Sequence, residues 1–315
     1  MRSGLIINPC DLSKRWIDRV ADNGITVLGI HSDAGVRSVN ELKELVRQNE
    51  TESYRALIDY AKERNVEIEY ELHAAGYLVP RELFDTHPEY FRVNKDGERS
   101  TDFNFCVTNT EALSICAKRA AELALSLYGS CKKFNFWMDD SRDVFCHCKE
   151  CRKYSPSDQT MIALNAMIAE IRKYIPDAQM PFLAYLETLA PPTKVKASDG
   201  IFLEYAPFAK YTAVGEDAEE RVKNERDALA PLLEYFAGKE NKVLEYWFDN
   251  SIFSGRVRPP KYFALDVQRM RRDVVDYANL GFVSMTSFAC FLGEDYFALH
   301  GDFDVKPYAD ALSAL

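Results

Sequence analysis

Phe134-Asn135-Phe136-Trp137-Met138, followed at once by Asp139-Asp140, is an aromatic-rich apolar run of strand length that stops on two carboxylates. The Ala- and Leu-rich stretch from Ala112 to Tyr128 precedes it and a second helical stretch, about Ser157 to Tyr174, follows it. The run is therefore read as the strand of a β/α unit, with the acids at its carboxyl end.

The same alternation extends in both directions. Upstream, Leu5 to Asn8 is strand 1, and Asp11 and Ser13 announce a helix carrying Trp16, Ile17 and Val20 at helical spacing. Strand 2, Thr26 to Ile30, follows the Asn23-Gly24 stop. A polar loop and the helix Tyr54 to Arg64 then lead to strand 3, Val66 to Leu72. Downstream come Phe182 to Tyr185, Ile201 to Glu204, Val243 to Trp247 and Phe282 to Thr286 as strands 5 to 8. Amphipathic helices, about Ala218 to Phe236 and Leu265 to Leu280, precede the last two, whereas the Pro191-Pro192 crossover between strands 5 and 6 is irregular.

Eight such units predict an α/β chain folded as a single (β/α)8 TIM barrel over residues 1–315, with a long loop after strand 3 and a Cys-rich loop after strand 4. The length of 315 residues suits this, since such barrels take about 250 residues before insertions. A doubly wound open sheet is the runner-up, because alternation alone does not prove closure. The turn after strand 1 reads Asn8-Pro9-Cys10-Asp11, without the Gly-rich fingerprint that would favour it. The loop from Ala74 to about Glu111 carries Tyr77, Phe84, Tyr90, Phe91, Phe103 and Phe105, which predict an ordered lid.

Composition excludes some functions. With 47% apolar and 28% charged residues the chain can bury a substantial core, and its net charge of -10 argues against a nucleic-acid partner. No apolar run approaches the roughly 18 residues of a membrane span, so no membrane partner is expected. Met1-Arg2-Ser3-Gly4 runs straight into strand 1 without a leader, so the chain as written reads as cytoplasmic. A chain trimmed of its leader would read identically and belong in a secreted or periplasmic setting. The oligomeric state is not encoded in any pattern seen here.

In a barrel the working residues sit at the carboxyl ends of the strands. Those ends supply His31, Glu71, His73, Tyr185, Glu204, Tyr246, Trp247 and Asp249 beside Asp139 and Asp140. Acids and aromatics dominate, a mixture suited to a carbohydrate: carboxylates do acid-base work while ring faces stack on sugar C–H surfaces. Asp139 and Asp140 are the catalytic candidates and the other eight the substrate-binding ones. Adjacent residues on an extended strand point to opposite faces, so one of the pair can enter the pocket while the other reaches a neighbouring loop or orients a substrate group. Two like charges held close also drive one pKa upward, giving the protonated acid and ionised partner that glycoside cleavage needs. The bland alternatives are an Asp capping the next helix, a His satisfied by a backbone carbonyl, and a Trp that is core.

Cys146-His147-Cys148-Lys149-Glu150-Cys151 is the second unusual stretch. Cys146, Cys148 and Cys151, completed by His147 or a distant cysteine such as Cys106, compose a possible structural zinc site; loop packing and a redox-sensitive disulfide are the other readings. No cofactor is required by the rest of the sequence.

Phe136-Trp137-Met138-Asp139-Asp140, the Cys146-x-Cys148-x2-Cys151 run, Ser155-Pro156-Ser157-Asp158-Gln159 and Leu183-Ala184-Tyr185 with Pro191-Pro192 together resemble a family of uncharacterised bacterial barrel proteins related to glycoside hydrolases. Glu71-Leu72-His73 through His87-Pro88-Glu89-Tyr90-Phe91 extends the likeness, which covers about Trp16 to Trp247. At one remove the arrangement is similar to β-N-acetylhexosaminidases and O-GlcNAcases. That resemblance implies a glycosidase acting on a carbohydrate, here one containing N-acetylhexosamine, with Asp140 as general acid/base and Asp139 orienting the acetamide. Tyr185, Tyr246 or Trp247 would frame the sugar. The chain differs from the hexosaminidases in carrying Asp rather than Glu second in the pair. An α-glucuronidase-like alternative uses a second carboxylate, Glu204 or Asp249, to activate water, and a non-catalytic carbohydrate-binding barrel is the third possibility.

Overall fold

The structure, a computed structural model, describes residues 1–32 and 37–315. Eight strands form one parallel sheet: β1 Arg2–Ile7, β2 Val27–His31, β3 Glu67–His73, β4 Ser130–Trp137, β5 Met180–Ala184, β6 Ile201–Tyr205, β7 Lys242–Glu245 and β8 Ser284–Phe288. Their order around the sheet is β4-β3-β2-β1-β8-β7-β6-β5. The two ends meet through a parallel bridge between Lys133 and Gln179, with Phe134 N–H to Gln179 O at 2.9 Å and Gln179 N–H to Lys132 O at 2.8 Å. A nearly closed (β/α)8 barrel results, as expected, and the open-sheet alternative falls.

Strand parity sets what the barrel holds. Ile6, Trp137, Ala206, Leu244, Tyr246, Phe288 and Cys290 pack together inside the ring, apart from the larger core that joins the ring to its helices. Residues two apart share a face, so each inward column steps by roughly 6–7 Å along the strand. Lys242, Leu244 and Tyr246 form one such column, from depth to mouth. Glu69, Glu71 and His73 form another.

The helices follow their apolar spacing. Trp16, Ile17 and Val20 bury one face of Lys14–Asp22, whose start is capped by the Ser13 hydroxyl. The segment after β2, expected to be a polar loop, instead contains the helix Ser38–Asn49, with Leu42 and Leu45 buried. The expected helix from Ala218 to Phe236 is two helices, Ala218–Asp227 and Leu229–Tyr235. Pro231 explains the break, because it cannot donate the backbone bond that an uninterrupted helix would need there.

Between β5 and β6 the only regular element is the turn Leu186–Thr188. Asp158 replaces a crossover helix: its carboxylate accepts the backbone N–H groups of Thr193, Lys194 and Val195 at 2.8–3.0 Å. The same side chain closes a capping box with Ser155 at the start of Pro156–Ile171. A small side chain thus satisfies an irregular connection that no helix supports.

The long loop after β3 is ordered by its aromatics, as their number predicted. Phe91, Phe105 and Tyr90 are buried, and a short ribbon pairs Arg92–Val93 with Arg99–Ser100. No helix among the described residues is long and apolar enough to cross a membrane.

Candidate functional site

A cavity of about 610 Å³ opens at the carboxyl ends of the strands, the end where barrels carry their chemistry. Trp137, Leu183, Tyr185, Phe208, Tyr246 and Phe288 make its apolar wall. The rings are in sequence contact, with Tyr185 to Phe208 at 5.4 Å, Phe208 to Tyr246 at 5.0 Å and Tyr246 to Phe288 at 5.2 Å between centroids. Phe208 and Phe288 were missing from the sequence-derived set. Counting inward parity beyond the strands, from Glu204 to Phe208 and from Thr286 to Phe288, would have found both.

Five of the eight expected binding residues line this cavity: His31, His73, Tyr185, Tyr246 and Asp249. Each histidine is pinned through Nδ1 to a carbonyl, His31 to Glu71 O at 2.8 Å and His73 to Met138 O at 2.7 Å. A carbonyl only accepts, so each Nδ1 carries a proton and turns Nε2 away from that carbonyl. Burial, with His73 adding to it, pushes the His31 pKa down to about 3, which keeps that ring neutral.

The remaining three lie elsewhere, each for a geometric reason. Glu71 and Glu204 sit below the cavity floor, fully buried, where Lys242 Nζ reaches Glu71 Oε1 at 2.6 Å, Glu204 Oε1 at 2.7 Å and Glu69 Oε2 at 3.2 Å. Glu71 belongs to the inward face as expected but is one step deeper than His73. Trp137 Nε1 covers Glu204 by donating to Oε2 at 2.8 Å. Trp247 follows the inward Tyr246 and so points outward, where its Nε1 donates to Asp273 Oδ2 at 2.9 Å and its ring packs on Tyr308. It is core rather than a sugar platform.

The acid pair divides. Asp139 is 6% exposed, and its carboxylate takes the Asn104 N–H at 2.6 Å, the Gly76 N–H at 3.2 Å and the Arg81 guanidinium at 3.1 Å. Its own N–H donates to Asn104 Oδ1 at 2.8 Å. A Cβ on Gly76 would stand 2.9 Å from Arg81 Nη2, so a larger residue there would press on the guanidinium that meets this carboxylate. Asp139 therefore binds the long loop to the end of β4, and its assignment as an acetamide-orienting group has no geometry to support it. Asp140 lines the cavity.

Asp140 has company there. Burial and then the Asp140 charge push the Tyr185 phenol above its usual range, with a hydrogen bond to Asp140 contributing. The Tyr246 phenol is raised by burial and, in turn, by Tyr185, Asp140 and Asp249, so both acids act on one hydroxyl. Asp249 is 6% exposed and burial lifts its carboxyl to about 6, against the N–H and hydroxyl of Ser251, which both donate to Oδ1. Two carboxyls with different environments thus face one aromatic-walled space.

Arg256 also lines the cavity, its charge felt by Asp249 and Tyr185, and it forms no ion pair among the described residues. Arg258, by contrast, is paired with Asp11 and Asp295.

Beside the mouth, Cys106, Cys146, Cys148 and Cys151 converge, with all four sulfurs within 4.8 Å of one another. His147 does not join them; its Nε2 meets Asp143 Oδ1 at 2.9 Å.

None of the curated proteins matches the sequence. Among solved structures, an endo-glycoceramidase II from Rhodococcus sp., captured as a lactosyl-enzyme intermediate, is similar with a TM-score of 0.56 and 10% identity, over 99% of this chain and 78% of that one. A β-galactosidase from the psychrophilic Marinomonas ef1 gives 0.55 and 11%, over 91% of this chain and 54% of that one. ZgEngAGH5_4 in complex with a cellotriose gives 0.50 and 11%, over 96% and 88%. At such identities the likeness establishes the fold. By sequence, residues 33–236 match the family described as Domain of unknown function (DUF4838), well over half of the chain, and the protein belongs to that family.

Proposed function

We propose that the protein is a glycoside hydrolase whose working acids are Asp140 and Asp249. The observation that carries this reading is the pair of carboxyls opening onto one aromatic-walled cavity at the barrel mouth, with Asp249 lifted to about 6. A carboxyl with that pKa holds a proton in mildly acidic solution and can deliver it to a leaving oxygen. Asp140, with the Tyr185 phenol as donor, serves as the partner that attacks the anomeric carbon or activates water. The Nε2 of the neutral His31 accepts from a sugar hydroxyl, His73 offers its Nε2 to another, and the Tyr185, Phe208 and Tyr246 rings take the C–H faces. The fold neighbours include a β-galactosidase and an endo-glycoceramidase, and the reading transfers glycoside chemistry from them to this cavity. A substrate-assisted scheme on N-acetylhexosamine fits less well, because the adjacent carboxylate that would orient the acetamide is Asp139, already engaged by Arg81 and two amides.

Turnover of an aryl glycoside, screened across a chromogenic panel, is expected to fall as pH rises through about 6, when Asp249 loses its proton. Asp249→Asn should abolish that limb and stabilise the fold. The folded chain retains a proton that the unfolded chain releases above its ordinary carboxyl pKa of 3.8. Stability from this group therefore drops as pH rises from about 4 to about 6. At pH 7 the substitution should add on the order of 1–3 kcal/mol, read by urea unfolding. Oligosaccharide binding without product on prolonged incubation would instead establish a sugar-binding barrel.

A second reading concerns substrate charge. Arg256, facing the acids without an ion-pair partner among the described residues, favours an anionic sugar such as a uronide. Arg256→Met should then raise KM for an aryl uronide by roughly 10-fold or more, equivalent to losing a charge-assisted contact of about 1.5–3 kcal/mol, and leave the neutral glycoside unaffected. Equal effects on both substrates would remove this preference.

A further inference from the structure

We infer that Cys106, Cys146, Cys148 and Cys151 hold a structural zinc ion that locks together the two loops flanking Asp140. The inference does not depend on the glycosidase reading. A zinc ion bound by four thiolates at about 2.3 Å requires the sulfurs to stand about 3.8 Å apart at the corners of a tetrahedron. Here Cys106 Sγ lies 3.7 Å from Cys148 Sγ and 3.7 Å from Cys151 Sγ, and no pair among the four sulfurs exceeds 4.8 Å. A disulfide needs about 2.05 Å between two sulfurs and leaves the other two out, whereas all four sulfurs here lie within 4.8 Å of one another.

The surroundings suit bound thiolates. The Val93 N–H points at Cys146 Sγ at 3.4 Å and the Cys151 N–H at Cys148 Sγ at 3.4 Å, while the Thr108 hydroxyl lies 3.2 Å from Cys151 Sγ. Donors aimed at the sulfurs disperse the negative charge that four thiolates bring to one cation. Gln159, from the helix Pro156–Ile171, holds the loop from behind: its Oε1 accepts the Cys146 N–H, and its Nε2 donates to the Cys146 and Cys151 carbonyls. Three of the sulfurs belong to buried residues and Cys148 is half-buried, which leaves an entry side for the metal.

Sulfur ligands select soft or borderline cations, and at a given site zinc binds more tightly than ferrous iron. The ion has no geometric demand of its own, which matches ligands drawn from two irregular loops. What the clamp does follows from its position. Cys106 is two residues from Asn104, whose N–H and side chain grip Asp139, and Cys146 follows the segment leaving Asp140. One ion would therefore fix the loop after β3 against the loop after β4 and hold the backbone that presents Asp140 to the cavity.

Metal analysis of the full chain, purified under reducing conditions without added metal, should find one zinc per chain. Cys106→Ser should reduce this to background, and Cys131→Ser, whose thiol lies outside the cluster, should retain it. Should Cys106→Ser not fold, cobalt titration of chelator-stripped wild type provides the second readout. One equivalent should produce the visible bands of a tetrahedral tetrathiolate and be displaced by zinc. Removing the metal should speed amide exchange in residues 89–108 and 140–154 while the barrel strands keep their protection. A metal-free chain whose cobalt spectrum stays that of the hydrated ion would overturn the site, as would disulfides among these four cysteines. Iron in place of zinc would overturn the assignment of the metal.

Discussion

Asp140→Asn is expected to lower kcat/KM for the best aryl glycoside by about 10²- to 10⁴-fold, the usual contribution of a positioned acid or base, with urea stability close to that of the parent. The neighbouring Asp139→Asn should do the reverse. Asp139 is buried, paired with Arg81, and accepts two backbone N–H groups, so an amide in its place presents donors to donors and leaves the guanidinium uncompensated. Breaking a buried pair from one side costs about 3–5 kcal/mol. Its kinetic effect should be indirect, through a loosened loop. Two adjacent acids of the same type thus predict opposite phenotypes. Kinetics of both variants beside their unfolding curves check this, and an inactive Asp139→Asn of undiminished stability would return that residue to the chemistry.

Lys242→Met should also cost about 3–5 kcal/mol of stability. Its ammonium is 1% exposed and is the shared cation of three buried carboxyls in the barrel interior. Burial alone would push Glu69 up, yet Lys242 and Arg2 together hold it down at about 2, so it stays ionised. Glu71 moves the other way: burial, with Glu204 and Glu69 nearby, drives it well above the usual carboxylate range despite Lys242. Without the lysine, Glu69 retains Arg2, but Glu204 and Glu71 lose their cation in a space sealed by Trp137. Glu71→Gln, an amide replacing a carboxyl already inclined to be neutral, should cost far less. Urea denaturation of the two variants settles the comparison, and a Lys242→Met protein as stable as Glu71→Gln would show that this lysine does not organise the interior.

How much of this was legible in the sequence depended on whether a property is local. Alternation of apolar runs with helical stretches gave the barrel, because strand and helix periodicities are written within single segments. Parity is equally local, and it would have separated inward Tyr246 from outward Trp247 had it been counted. The helix Ser38–Asn49 was also readable, from Val39, Leu42, Leu45 and Val46, but the charged residues between them suggested a polar loop. Depth is not local. Nothing in Glu71-Leu72-His73 says that the first residue meets a lysine from the other side of the ring while the third reaches the mouth. Nor does Asp139-Asp140 reveal which acid a distant Arg81 will claim. The cysteine run shows the same limit: three thiols are close in sequence, and the sequence leaves open whether His147 or the distant Cys106 joins them, which the fold decides by bringing Cys106 from the loop after another strand.

The proposed cleavage needs Asp249 as proton donor and Asp140 as its partner across one cavity. Leaving-group dependence in the two Asn variants tests this most directly, using aryl glycosides of the preferred sugar with poor and with highly activated phenols. Asp249→Asn should lose about 10²-fold or more on the poor leaving group and little on the activated one, which departs without a proton, while Asp140→Asn should lose activity on both. Asp249→Asn with wild-type turnover of the poor leaving group would contradict the account.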